Sequence, residues 1–375
     1  MKVIMTGGGT GGHIYPAIAI ADKIRRKNPD ASILFIGTKK GMESNLIPES
    51  GYEIRFINAR GFDRRNPLKN IATVRDFLRG NAQAGKILND FKPDIVIGTG
   101  GYVCAPIIRA AGKRGIPAYI HEQNAYPGLA NRMLEKYAKK VFISFPESEK
   151  YFKEKDKLIL TGNPIRKEFV VSSVIDYRKK LGIGDSEFLI LSFAGSRGAE
   201  RLNDVVLDLA DMIQNIPGAR LVHITGNVRF EGFCERLKEK GITNGIKINI
   251  LPYADSIHEY MFASDLVISR SGAITAAELT ACGKPSILIP SPNVTANHQY
   301  FNARAIADKG GAVLIEEKDL TSEKLITAVM RLVNNREALN AMAKASASLG
   351  RTDGADAIYD ELGMDRHISK AEGIL

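Results

Sequence analysis

Long apolar runs are missing from this 375-residue chain. No window approaches the roughly 20 apolar residues needed to span a bilayer, and the opening MKVIMTGGGTGGH lacks the apolar stretch of a secretory leader. The expectation is a cytoplasmic protein whose membrane contact is at most peripheral. Cysteine is scarce as well. Cys104, Cys234 and Cys282 stand far apart without metal-ligand spacing, and read as buried small hydrophobes in a reducing compartment. Low-complexity tracts and fixed-period repeats are lacking. So are an Asp-x-Asp at a strand end, a His-x-Glu with paired cysteines, a P-loop lysine and a Gly-x-Ser-x-Gly elbow. No metal and no cofactor are expected.

What is present points to α/β architecture. The length exceeds the needs of one compact domain, and 44% apolar residues suffice for two cores. Short apolar runs alternate with longer amphipathic segments almost from end to end, the pattern of a parallel sheet wound with helices. Strands are predicted at Lys2–Gly7, Ile33–Gly37, Glu53–Asn58, Ile95–Gly98, Ala118–His121, Val141–Ser144 and Leu158–Thr161. After a pause at Gly162–Phe169 a second series follows: Phe188–Phe193, Leu221–Thr225, Ile246–Leu251, Leu266–Ser269, Ser286–Pro290 and Ala312–Ile315. The fold class is two Rossmann-like, doubly wound parallel-sheet domains facing a cleft. The expected division is 1–164, 165–350 and a C-terminal segment 351–375, a helix returning to the first domain. A helix is expected to start just after His13, with Pro16 in its first turn.

The net charge of +10 suggests an anionic partner, either nucleic acid, acidic lipid or a phosphorylated substrate, or simply a basic soluble protein. Dispersed basic residues without an aromatic-basic signature argue against nucleic acid.

Three glycine-rich turns follow predicted strands: Gly7–Gly12, Gly98–Tyr102 and Ala194–Ala199. Gly7, Gly9 and Gly12 have the G-x-G-x-x-G spacing of a phosphate-holding loop. A dinucleotide site also wants a carboxylate at the tip of the second strand, and here that strand runs into Thr38-Lys39-Lys40-Gly41. A nicotinamide cofactor is therefore not expected. His13 follows the loop at a helix start, as a proton acceptor or as a capping histidine. His121-Glu122-Gln123-Asn124 closes a strand; Glu122 is a second candidate base or an orienting carboxylate, and Asn124 a donor to a hydroxyl. Arg166 follows the Gly162-Asn163-Pro164 joint and is either a diphosphate clamp or a surface arginine. Ser269–Glu278 reads as strand, turn and helix, with amides suited to a diphosphate and Glu278 to ribose hydroxyls. Asn297, His298, Gln299 and Asn302 are expected before a helix Ala303–Lys309, with amides for sugar hydroxyls.

Together the segments TGGGTGGHIYPA, GTGGYVCAP, HEQNAYPG, TGNPIR, AGSRGA, SRSGAITAAEL and NHQYFNA resemble, in order, those of the MurG family of bacterial peptidoglycan glycosyltransferases. The resemblance spans residues 6 to about 303. It implies a GT-B fold and inverting transfer of GlcNAc from UDP-GlcNAc to lipid I, undecaprenyl-pyrophosphoryl-MurNAc-pentapeptide, giving lipid II. It also implies that Thr10, Gly11, Gly12 and Asn124 face the donor sugar or acceptor. Arg166, Ser196 and Gln299 would contact the donor, Glu278 the ribose, Ala273, Ile274 and Thr275 the nucleotide, and the backbone near Ala254 the uracil edge. The loop departs from the family's G-G-S-Q-G-A at Arg197, which adds a charge near the phosphates. Ser291–Asn297 differs too, leaving the partner of Gln299 undefined. UDP-GlcNAc 2-epimerases share this architecture and remain the rival reading.

A lipid-linked acceptor calls for a docking surface. Arg64, Arg65 and Lys69 lead into a predicted helix carrying Ile71, Val74, Phe77 and Leu78 on one stripe, with Arg75 and Arg79 beside it. This composition suits an anionic membrane surface, or else a core-facing helix.

Overall fold

The computed structural model describes residues 1–61, 70–171, 176–194 and 199–364. The chain forms two compact units, Met1–Ile165 with the residues from Asp353 onward, and Arg166–Thr352. The first holds seven parallel strands: β1 (Lys2–Thr6), β2 (Ser32–Gly37), β3 (Glu53–Phe56), β4 (Ile95–Gly98), β5 (Ala118–Glu122), β6 (Lys140–Ile143) and β7 (Leu158–Leu160). Their order is β3-β2-β1-β4-β5-β6-β7. The second holds β8 (Phe188–Phe193), β9 (Ala219–Ile224), β10 (Ile248–Leu251), β11 (Leu266–Ser269), β12 (Ser286–Leu288) and β13 (Ala312–Leu314), in the order β10-β9-β8-β11-β12-β13. Each predicted strand coincides with one of these. The reason is physical: β4, β8, β9 and β11 are buried along their whole length, so most positions on both faces are apolar.

In the first unit Ile4, Leu34, Ile36, Val96 and Ile120 pack on one sheet face. Val3, Met5, Phe35, Ile97 and Phe142 pack on the other, where they meet Ile358, Tyr359 and Leu362 of the helix Gly354–Leu362. The second unit has a continuous core through Ile190, Leu221, Leu266, Ile287 and Val329.

In both sheets the chain runs outward one way and then the other, so β1 and β4 are neighbours whose connections diverge, as are β8 and β11. Ligand crevices form at such switch points, beyond the carboxyl ends of the strands. The glycine loops after β1 and β4 stand at one, and the segments after β8 and β11 stand at the other.

Two helix starts differ from expectation. The first helix runs Gly11–Lys27, because the Thr10 carbonyl accepts the His13 and Ile14 amides at 3.1 and 3.2 Å. His13 is thus in the first turn and Pro16 in the second. The later helix runs His298–Ala307 rather than from Ala303. Ala296 and Asn297 turn the chain with φ of 55° and 53°, so Gln299 and Asn302 lie on the helix itself.

Candidate functional site

Two glycine loops interlock at the first switch point. The Gly8 amide donates to the Gly100 carbonyl at 3.3 Å, and a Cβ at Gly101, where φ is +84°, would fall 2.4 Å from the Gly8 oxygen. Only glycine fits that approach. The Thr99 hydroxyl donates to the His13 carbonyl at 2.7 Å, tying the second loop to the helix start.

His13 sits between the loops. Its Nδ1 lies 2.9 Å from the Gly8 oxygen, with Thr10 Oγ1 at 3.5 Å. A carbonyl can only accept, so Nδ1 carries the proton and Nε2 keeps its lone pair in the neutral ring. The ring edge lies against Gly100, where a Cβ would come within 3.0 Å of Nε2. The helix Gly11–Lys27 has no acidic residue in its first turn.

Glu122 is buried, 1% exposed, and already engaged. Oε1 accepts the Asn124 amide at 2.9 Å and Asn124 Nδ2 at 3.1 Å; Oε2 accepts the Gly128 amide at 2.9 Å and Asn131 Nδ2 at 2.8 Å. These four donors bend the segment after β5 around the carboxylate and hold Asn124 in place. His121, one residue earlier, is fully buried; burial pushes its imidazole down to about 4. Its Nε2 donates to the Gly162 carbonyl at 3.2 Å and its Nδ1 accepts from Gln123 Nε2 at 2.9 Å. It is a neutral structural group.

A further carboxylate, Glu43, is not marked by the sequence at the strand end. Glu43, five residues beyond Thr38, folds back beneath the first glycine loop, and Gly9 N donates to its Oε2 at 3.0 Å. The turn Thr38–Met42 delays it past the strand tip, which itself carries no acidic residue. A first-turn acid on the helix Glu43–Glu49 was the only available signal.

In the second unit Arg166 Nε and Glu278 Oε1 are 2.8 Å apart. The sequence places the two against different parts of a nucleotide, and the fold pairs them. Glu278 lies on the helix Ala273–Ala281, and burial pushes its carboxyl up against the opposing pull of Arg166. The guanidinium also stacks on Phe169, 4.9 Å from the ring centre. Ala273, Ile274 and Thr275 form the first turn of that helix, the positive end of its dipole, which favours an anion. Gln299 has a defined partner: its Oε1 accepts the Ser291 amide at 2.8 Å, while the Ser271 hydroxyl donates to its backbone carbonyl at 2.8 Å. His298 Nδ1 donates to the Thr295 carbonyl at 2.9 Å. Ala254 lies in the loop between β10 and the helix Ile257–Ala263. A cavity of about 620 Å³ opens at the carboxyl end of β8, lined by Ala194, Ala199, Arg201, Arg270, Ser291 and Gln299 among others. That volume suits a ligand of nucleotide-sugar size.

Ser196, Arg197, Arg64, Arg65 and Lys69 lie outside the described residues, as does the side chain of Ile71. On the helix Asn70–Phe91, Val74 and Leu78 are 49% and 65% exposed. Arg75 and Arg79 are exposed with them, whereas Thr73 and Asp76 are buried. Phe77 is half-buried, with the Arg109 guanidinium 5.8 Å from its ring centre, so it leaves the exposed stripe. Among the described residues no helix is long and apolar enough to cross a membrane.

The glycosyltransferase family 28 N-terminal domain matches residues 3–143 and the family's C-terminal domain matches residues 189–358. A UDP-N-acetylglucosamine--N-acetylmuramyl-(pentapeptide) pyrophosphoryl-undecaprenol N-acetylglucosamine transferase of Acetivibrio thermocellus is 47% identical over 373 residues, covering 100% of both chains. The enzyme of that name from Clostridioides difficile is 44% identical over 96% of this chain and 88% of its own. Among solved structures, MurG of Acinetobacter baumannii superposes with a TM-score of 0.78 at 27% identity, covering 97% of this chain and 99% of that one. A UDP-GlcNAc 2-epimerase from Neisseria meningitidis superposes with a TM-score of 0.67 at 18% identity, over 96% and 99% of the two chains. That likeness is one of fold.

Proposed function

Because the chain belongs to glycosyltransferase family 28, among the MurG-type N-acetylglucosamine transferases, we propose a division of labour between its two units. The protein is a hexosyltransferase of peptidoglycan synthesis: it moves GlcNAc from UDP-GlcNAc to lipid I and forms lipid II. Full-length identity at this level favours the transferase over the epimerase, which shares only the fold.

Transfer requires an acceptor hydroxyl to attack the anomeric carbon as the bond to the UDP oxygen breaks. A base takes the hydroxyl proton and the leaving diphosphate takes the electron pair. Single displacement inverts the anomeric configuration. We assign the base to His13, and the supporting observation is its Nδ1 contact with the Gly8 carbonyl, which leaves the Nε2 lone pair as proton acceptor. Glu122 has four donors on its two oxygens and is assigned the competing role, shaping the loop that carries Asn124. Thr10, Gly11 and Gly12 line the approach of the reacting sugars.

The second unit takes the donor. The first turn of the helix Ala273–Ala281 receives the diphosphate through amides and dipole, without a metal ion. Glu278, steadied by Arg166, accepts the ribose hydroxyls. Gln299, His298 and Ser196 meet the sugar and phosphates, and the backbone at Ala254 meets the uracil. The exposed face of Val74, Arg75, Leu78 and Arg79 rests on anionic headgroups, which puts the enzyme peripherally on the cytoplasmic face of the cell membrane.

The test is transfer of labelled GlcNAc from UDP-GlcNAc to a lipid I analogue, with UDP-GalNAc as control and EDTA in a parallel arm. Label should reach the lipid from UDP-GlcNAc alone, with or without chelator. Conversion of UDP-GlcNAc to its 2-epimer without acceptor would overturn the reading.

A further inference from the structure

Glu43 has no role in the chemistry above, yet it is a carboxylate only 1% exposed. Oε1 accepts the Thr38 amide at 3.0 Å and the Thr38 hydroxyl at 2.8 Å, and Oε2 accepts the Gly9 amide at 3.0 Å. Three glycines from two segments make room for it. A Cβ at Gly8, Gly37 or Gly41 would fall 2.6, 2.6 or 2.1 Å from a Glu43 side-chain atom. Burying a carboxylate is costly unless its oxygens are bonded, so the place of its bonds matters.

The peptide joining Gly8 to Gly9 carries two of these contacts. Its N–H, on Gly9, is held by Glu43; its C=O, on Gly8, accepts from His13 Nδ1 at 2.9 Å. One planar amide is gripped at both ends. A negative charge at the N–H end draws electron density toward the carbonyl oxygen and strengthens it as an acceptor. A nucleophile's base is commonly oriented by such a third group; here a backbone peptide stands between the two.

We propose that Glu43 is a positioning residue for the transfer reaction, acting through the Gly8–Gly9 peptide to hold His13 in the Nδ1–H tautomer. The proposal rests on His13 being the base. During attack the hydroxyl proton passes to Nε2, the oxygen's electron pair forms the new glycosidic bond, and UDP leaves with the old bonding pair. The ring is then an imidazolium. Its Nδ1–H is stabilised by the Gly8 carbonyl and, across the amide, by the Glu43 carboxylate. Other titratable groups close to this assembly are Cys104, whose thiol burial pushes up to about 12, and the buried neutral His121. The Tyr15 and Tyr102 phenols flank the loop at Gly11 and Gly9.

The experiment uses the full chain with Glu43→Gln and His13→Ala variants. Gln places an amide donor against the Gly9 or Thr38 N–H. For E43Q, kcat should fall roughly tenfold to hundredfold while KM for UDP-GlcNAc changes less than about twofold, because orientation of the base is lost and donor binding is not. The acid limb of the kcat/KM profile should move to lower pH, since the imidazolium loses a stabilising negative charge. Nitrogen-15 spectra of the unmutated protein should show His13 protonated at Nδ1 and bare at Nε2, and E43Q should lose that preference. An Nε2–H tautomer in the unmutated protein overturns the proposal even where E43Q fails to fold. So does an E43Q enzyme with unchanged kcat and acid limb. If H13A keeps near-normal turnover, the base assignment itself falls; if H13A is inactive and E43Q is normal, only the role of Glu43 falls.

Discussion

At the scale of single residues, burial sets protonation. His121 and His223 are fully buried, and burial pushes their imidazoles down from the ordinary 6.5 to about 4 and about 3. Each folds neutral, whereas the unfolded chain takes up a proton below about pH 6.5. Stability is therefore fully present above that value and is lost as pH falls from it toward the folded value, by an amount on the order of 3 kcal/mol for His121. His223 contacts the Ser192 carbonyl through Nδ1 at 3.3 Å, its Nε2 has no partner among the described residues, and its ring packs 5.0 Å from that of Phe233. Replacing His223 with Phe should flatten the pH dependence. Urea unfolding at pH 7.5 and 5.5 measures it, and an equal acid loss in both proteins would contradict the assignment. The roles of these two histidines were not legible in the chain. Only the fold shows that His121 faces the Gly162 carbonyl while His13 faces a loop.

At the scale of elements, the first turns of the helix Asn70–Phe91 expose Val74 and Leu78 while burying Thr73 and Asp76, whereas its later turns bury Ala84, Ile87 and Leu88 in the core. Asp76 is ion-paired with Arg60 at 3.1 Å, which lets a charge occupy the inner face. The apolar stripe was visible in the sequence, but its direction was not, because a 3.6-residue period marks a face without saying what covers it. Phe77 belongs to that stripe by spacing and leaves it by packing. A Val74→Asp, Leu78→Asp double variant should bind anionic vesicles several-fold less while its melting temperature stays within about 2 °C, as exposed positions contribute little to stability. Unchanged cosedimentation would remove this helix from the docking surface.

At the scale of the whole molecule, the chain's last described helix completes the first unit. Asn28 Nδ2 donates to the Tyr359 hydroxyl at 2.7 Å, Lys140 pairs with Glu361 at 2.6 Å, and Lys23 pairs with Asp356. Ile358, Tyr359 and Leu362 are all but fully buried there. Burial of three such side chains contributes about 5 kcal/mol or more. A chain ending at Thr352 should lose hydrogen-exchange protection across Gly11–Lys27 and keep it across Phe188–Phe193. Equal loss in both segments would show that the helix does not stabilise the first unit selectively.

Among the described residues, the thirteen strands and their parallel winding followed from the amino-acid order alone, since most are largely buried and read as short apolar runs bounded by turns. The glycine loops, and the family's ordered motifs, were legible for a related reason: close backbone approach tolerates few residue types. Tertiary structure decided which polar groups meet. It paired Arg166 with Glu278, surrounded Glu122 with four donors, gave Gln299 the Ser291 amide, and brought Glu43 under the loop that holds His13. Hydrogen bonds join groups by distance and direction in space, and such pairs leave no periodic trace along the chain.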